Sequence, residues 1–210
     1  NGNVSVERKR SGATITHTYD NNNRLIKKDL SDNTHSADVV YNYDLRGLTL
    51  YSHFGNDSGQ GITNVFDGFG NLTSSSINVG GTTRTLSYKY DKNGNRTRVT
   101  HPDNHFFEYS FDGINRVNNL SQSASASATA SLVSLLNVSY RGNGSRHQIT
   151  RRSGATTTYA TDDLRRLTSL THDFASTAND LTNSFVYNAA NQVTQFTQSN
   201  NIYRYQGEEN

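Results

Sequence analysis

One short phrase keeps returning along the chain: an aromatic residue, an acid, then a few small or polar residues that end on glycine or asparagine. The copies begin at Tyr19-Asp20, Tyr43-Asp44, Phe66-Asp67, Tyr90-Asp91, Phe111-Asp112, Tyr140-Arg141, Thr161-Asp162 and Tyr187-Asn188. They recur about every 24 residues, the range of stacked repeat architectures. A ninth copy begins at Tyr205. The reading that follows is one array over 1–210, of about eight repeats and truncated at both ends. Few folds accept the same local instruction so many times in register.

The phrase has the chemistry of a tight turn. Four residues after each anchor stand Asn23, Gly47, Gly70, Gly94, Asn115, Gly144, Arg165 and Asn191. All but Arg165 are the residue types that best tolerate positive φ, so the backbone is expected to turn left-handed there. The acids Asp20, Asp44, Asp67, Asp91, Asp112 and Asp162 suit a strand end, where a carboxylate accepts turn N–H groups that the ladder leaves unpaired. Two residues past the turn an apolar side chain often returns, as Leu25, Leu72, Val117, Leu167 and Val193 do.

Before the anchor the residues alternate, as in Tyr41-Asn42-Tyr43, Tyr88-Lys89-Tyr90, Phe107-Glu108-Tyr109-Ser110-Phe111, Phe185-Val186-Tyr187 and Tyr203-Arg204-Tyr205. Period two with rings on one side predicts half-buried strands. Each repeat is therefore a hairpin, and Tyr19, Tyr43, Phe66, Tyr90, Phe111, Tyr140 and Tyr187 form an aromatic stripe, where cross-strand pairs stabilise by roughly 0.2–1 kcal/mol each. The fold class is all-β: tandem hairpins in a long antiparallel sheet. About sixteen strands at ~4.8 Å each make a sheet near ~75 Å wide, and strand twist curls a sheet of that width.

Composition agrees. Only 32% of the residues are hydrophobic and Tyr outnumbers Phe, 12 to 9, which is too little apolar matter for a thick core but enough to line one face of a sheet. The chain has no cysteine, so neither disulfides nor thiolate chemistry enter. It contains no signal peptide and no apolar run long enough to cross a bilayer as a helix. One segment departs from the pattern. Ser and Ala alternate from Ser121 and give way to Leu132-Val133 and Leu135-Leu136, so 121–136 is expected to be a Ser/Ala-rich hairpin-loop insertion.

The stretches "YDNNNRL" (Tyr19 to Leu25), "FDGFGNLTS" (Phe66 to Ser74), "YKYDKNGNRTRVTHPDN" (Tyr88 to Asn104) and "FDGINRV" (Phe111 to Val117) closely resemble the YD repeats of the RHS family, which includes bacterial RHS toxins, shell components of insecticidal toxin complexes and the teneurins. The resemblance runs over essentially the whole chain. It implies a β-sheet that spirals into a hollow shell and, in bacterial members, encloses a cytotoxic C-terminal segment until delivery. Bacterial members also carry a self-cleaving core with aspartates in "DPxG"-type motifs. This chain's single proline lies in "HPDN", so self-cleavage transfers to none of its residues.

Catalysis finds no support in the spacing. The acids, including the pair Asp162-Asp163, recur at the same point of successive hairpins, whereas a catalytic group is needed once, in one pocket. His101 and His105 have metal spacing only on a helix, and Pro102 with the alternation that follows places them in a turn. Arg8, Lys9 and Arg10, or Arg151 and Arg152, could touch phosphate, but the formal charge is only +2, and isolated cations on a sheet are solvated edge charges. The expectation is a non-enzyme without cofactor, metal or nucleic acid. The resemblance implies a secreted or surface-exposed, bacterial shell section whose partners are the remaining repeats, the C-terminal cargo of the same polypeptide and the secretion machinery. The alternative is a surface recognition module that binds glycans or a protein partner.

Overall fold

A computed structural model describes residues 2–31, 37–175 and 177–199. The expected ninth copy at Tyr205 and the Tyr203-Arg204-Tyr205 alternation lie outside the described residues. The chain divides into two compact units, Asn1–Phe106 and Phe107–Asn210.

Unit 1 contains β1 (Val6–Arg8), β2 (Thr14–Tyr19), β3 (Leu25–Leu30), β4 (Val39–Tyr43), β5 (Thr49–Phe54), β6 (Gly61–Phe66), β7 (Leu72–Val79), β8 (Thr82–Tyr90) and β9 (Arg96–Thr100). Each strand pairs antiparallel with the next. Unit 2 takes up the pattern in β10 (Phe106–Phe111) and continues through β11 (Val117–Ser123), β12 (Leu132–Tyr140), β13 (Arg146–Arg151), β14 (Thr156–Thr161), β15 (Leu167–Asp173), β16 (Leu181–Tyr187) and β17 (Val193–Gln198). It too is a meander of antiparallel neighbours. The protein is all-β, as the alternation predicts.

Within each unit the sheet is a single layer. Among the described residues Phe106 is the one buried hydrophobic side chain, with the Arg98 guanidinium 3.8 Å from its ring centroid. Stability therefore comes from ladder hydrogen bonds and cross-strand contacts rather than from a core.

The register sorts side chains between the two faces, because directly opposed residues share a side. In unit 1 the line His17–Lys28–Val39–Phe54 and the line Ser52–Ile62–Ile77–Arg84 place Tyr19, Tyr43, Phe66 and Tyr90 on one face. In unit 2 the lines Tyr109–Leu120–Leu136 and Val138–Ile149–Thr157–His172–Leu181 do the same for Phe111, Tyr140 and Tyr187. The opposite face is a ladder of hydroxyls and amides: Ser110–Asn119–Asn137–Thr150 and Ser139–Gln148–Thr158–Thr171–Thr182 in unit 2.

The segment 121–136 is not one long loop. Ser121–Ser123 ends β11 and Leu132–Leu136 begins β12, paired as Ser121↔Ser134, Gln122↔Val133 and Ser123↔Leu132. The connection proper is 124–131, closed by the Ala124 amide on the Ser131 carbonyl. The apolar residues at its far end give β12 its strand pattern, with period-two side chains that the alternating Ser and Ala conceal in the sequence.

Candidate functional site

The feature that recurs with most chemical detail is the row of turns along one edge of each unit. Every repeat turn is built alike. The Asp20 amide donates to the Arg24 carbonyl and the Asn23 amide to the Asp20 carbonyl, and this pair of bonds returns at Asp44, Asp67, Asp91, Asp112, Arg141, Asp162 and Asn188. The fourth residue after each anchor is left-handed: Asn23, Gly47, Gly70, Gly94, Asn115, Gly144, Arg165 and Asn191 have φ between 62 and 90. Each hairpin also slips register at its anchor, between Thr18 and Tyr19 in the first and Val186 and Tyr187 in the last. A type I turn followed by a left-handed residue and a bulge is the form in which a three-residue loop follows the twist of its strands.

The acids brace this turn. One oxygen of Asp20 accepts the Asn22 and Arg24 amides, both at 2.9 Å, and the other accepts the Arg24 Nε at 2.7 Å. Asp112 does the same with Arg116, and Asp162 with the amide and Nε of Arg166. Asp67 and Asp91 use the side-chain amides of Asn71 and Asn95, while Asp44 takes the Arg46 Nε from two residues away. These bonds hold the carboxyls below the ordinary carboxylate range. The largest cause is the Arg24 amide for Asp20, the Arg116 amide for Asp112, and the Asn71 and Asn95 side chains for Asp67 and Asp91. At Asp44 and Asp162 burial pushes the other way and the hydrogen bonds outweigh it. Each of these carboxylates accepts most of its hydrogen bonds from its own turn, which accounts for its place at the strand end.

Two further contacts join successive turns within each unit, though not every pair of them, and sequence reasoning missed both. The first is an arginine clasp. Arg24 reaches the Asp44 carbonyl at 2.8 Å, Arg46 the Asp67 carbonyl at 2.9 Å, Arg116 the Gly144 carbonyl at 3.1 Å and Arg166 the Asn188 carbonyl at 3.1 Å. The guanidiniums of Arg24, Arg116 and Arg166 lie 4.8, 4.0 and 4.8 Å from the centroids of the following anchor rings Tyr43, Tyr140 and Tyr187. The second is a tyrosine bolt. The hydroxyls of Tyr43, Tyr90, Tyr140 and Tyr187 donate to the carbonyls of Leu25, Leu72, Val117 and Leu167 at 2.8–3.0 Å, and Tyr19 donates to Val4. Where the anchor is Phe66, which has no hydroxyl, Asn64 donates to the Thr49 carbonyl at the corresponding place. Burial pushes the Tyr43 and Tyr90 phenols up and keeps them neutral donors. The sequence signal was present in the arginine of "NNNRL", "INRV" and "LRRL".

The other candidates resolve into structure. Asp163 is exposed beside the engaged Asp162. His105 meets Asp103 within the His101–His105 turn, and among the described residues no group of three or more His, Asp or Glu side chains could hold a metal. Arg151 donates to the Thr157 hydroxyl at 2.8 Å. No helix among the described residues is long and apolar enough to cross a membrane. An open hollow of about 540 Å³ in unit 2 is lined by Ser110, Asn119, Asn137, Ser139, Gln148 and Thr150 among others. These are neutral hydrogen-bonding groups, and Val138 adds an apolar side chain to the lining.

Within each unit, hairpin repeats that are mostly bolted to their neighbours at one edge define a single-layer β-repeat array. Residues 66–105 match the RHS Repeat family, and the turn found in that stretch is built eight times over among the described residues. Among solved structures the chain is similar to TcdB2-TccC3, with a TM-score of 0.67 and 12% identity over 93% of this chain and 11% of that one. TcdB2-TccC3-TEV gives 0.66 and 12% over 92% and 11%. The Photorhabdus luminescens Tc holotoxin pore, carrying a TccC3 mutation, gives 0.61 and 18% over 89% and 10%. The chain thus spans about a tenth of the length of these structures, and the likeness is one of fold. No curated protein matches the sequence.

Proposed function

We propose that this chain is a section of wall in an RHS-repeat shell, one that encloses a C-terminal toxin or effector domain of the same polypeptide for secretion and delivery to competitor or host cells. The observation that carries the reading is the edge bolting. A wall needs repeats that hold their neighbours without a core, and here arginine clasps and tyrosine bolts link one turn to the next. The likeness in fold to TcdB2-TccC3 supports it. The turn-bracing of Asp20, Asp44, Asp67, Asp91, Asp112 and Asp162 supports a structural role for these acids.

The test is limited proteolysis of the intact protein. Its C-terminal domain resists digestion while the repeats are folded and becomes sensitive when they are unfolded. A domain cut as fast as the same domain expressed alone removes the case for enclosure.

A further inference from the structure

The bolting is not uniform, and its exception lies within unit 2. The sixth turn, after Tyr140, and the seventh, after Thr161, are joined differently from the rest. The seventh anchor is Thr161, too short to reach back. Its counterparts Tyr140 and Tyr187 bolt to Val117 and Leu167, whereas among the described residues no side chain donates to the corresponding carbonyl, that of Arg146. The sixth turn has Arg141 where the others have Asp or Asn, so its carboxylate brace is missing, and Ser145 stands where Arg116 and Arg166 supply clasps.

What replaces these contacts lies along the strands: Gln148 donates to the Thr158 hydroxyl at 3.1 Å and Arg151 to the Thr157 hydroxyl at 2.8 Å. Arg141 donates to the Tyr159 carbonyl at 2.8 Å, and Arg146 donates to the Tyr159 hydroxyl at 3.3 Å, with its guanidinium 5.4 Å from that ring's centroid. The Arg141 Nε and the His147 Nδ1 are both buried without a hydrogen-bond partner, which costs stability wherever it occurs. The backbone ladder here, Gln148↔Thr158, Ile149↔Thr157 and Thr150↔Thr156, is the shortest in the unit. The tyrosine bolt and the arginine clasp are missing at the turn edge of the β13–β14 seam, its ladder is short, and the β12–β13 turn beside it lacks the carboxylate brace.

We propose that the β13–β14 seam is a built-in opening joint, the place where unit 2 parts first while the hairpins on either side stay closed. In a repeat array, stability is close to a sum of repeat terms and nearest-neighbour interface terms, so a single weak interface opens by itself without unfolding its neighbours. The proposal goes beyond the wall reading and does not depend on it, because it concerns only the internal contacts of unit 2.

Hydrogen–deuterium exchange of the intact protein tests it. Peptides covering 147–158 exchange about tenfold faster than those covering 119–121 and 136–140. Thr161→Tyr, which supplies a hydroxyl for the Arg146 carbonyl, slows exchange at 147–158. Tyr140→Phe instead speeds exchange on the β11–β12 side. Equal exchange across unit 2 in the natural protein overturns the proposal, as does a folded Thr161→Tyr variant that leaves the ratio unchanged. If that variant fails to fold, the natural pattern and the Tyr140→Phe response decide.

Discussion

Replacing Tyr43 with phenylalanine isolates one bolt. The ring and its packing stay, Arg24 keeps its place over the ring, and the only loss is the 2.8 Å hydrogen bond from the hydroxyl to the Leu25 carbonyl. A partly buried, neutral hydrogen bond contributes about 0.5–1.5 kcal/mol net. The abandoned carbonyl is part of a bulged pair, Tyr19↔Leu25, and has no other side-chain donor among the described residues, which places the loss near the upper half of that range. For a chain of this length, 1 kcal/mol corresponds to a melting-temperature change of roughly 2–4 °C. Tyr41→Phe is the control: that ring is on the same face, and its hydroxyl makes no hydrogen bond among the described residues. Thermal and urea melts of both variants therefore separate, with the urea midpoint of Tyr43→Phe lowered and its slope unchanged. The bolt also has a pH signature. The Tyr43 phenol is held above its ordinary value by burial, so its contribution is complete below about pH 10 and is lost as pH rises through the folded value; the variant lacks that alkaline component. Equal melts for the two variants would refute the bolt as an energetic link between repeats.

The same structure makes further predictions. Asp91→Asn changes stability little at neutral pH, because Asn188 already accepts the same two turn amides through its own side-chain oxygen; an acid titration of the melt distinguishes the two proteins. The depressed Asp91 carboxyl contributes stability that is complete above about pH 5 and lost as pH falls below about 4 through the folded value, and the variant lacks that acid-sensitive component. Gly94→Val destabilises by about 1–3 kcal/mol through backbone strain alone, since φ is 81 and nothing lies within 4 Å of the added Cβ; Gly94→Asn costs much less, and equal denaturation midpoints for Val and Asn would contradict the left-handed assignment. Arg165→Asn raises stability by about 1 kcal/mol, because the arginine sits at φ 65 where asparagine is found in three sister turns; an unchanged melt counts against it.

Much of the hairpin was legible because its determinants are local. A left-handed backbone four residues after the anchor follows from what glycine and asparagine tolerate, and the alternation before each anchor is enough to separate a ring face from a polar one. Arg165 shows the limit of that reading. Nothing about arginine favours positive φ, yet the same turn, held by the Asp162 carbonyl and carboxylate, places it there. Hairpin closure overrides the residue preference.

The loop was legible only in part. Alternating Ser and Ala read equally as strand or connection, and it was the pairing of Ser123 with Leu132 that confined the connection to 124–131. The partners in the bolts and clasps were not legible, though every residue in them was in view and the recurring arginine hinted at the clasps. Arg116 and Gly144 are 28 positions apart, and Tyr140 and Val117 are 23; Asn64 takes over from the missing Phe66 hydroxyl from a position outside the repeated phrase. Which donor meets which carbonyl depends on how far one hairpin is offset from the next, to within a hydrogen-bond length. By itself the sequence determined the repeat, the turn and the two faces of the sheet, because those are decided within a few residues of backbone. Only the tertiary structure decided which turns are bolted together and where the bolting fails, because that requires the register between strands that the chain brings side by side.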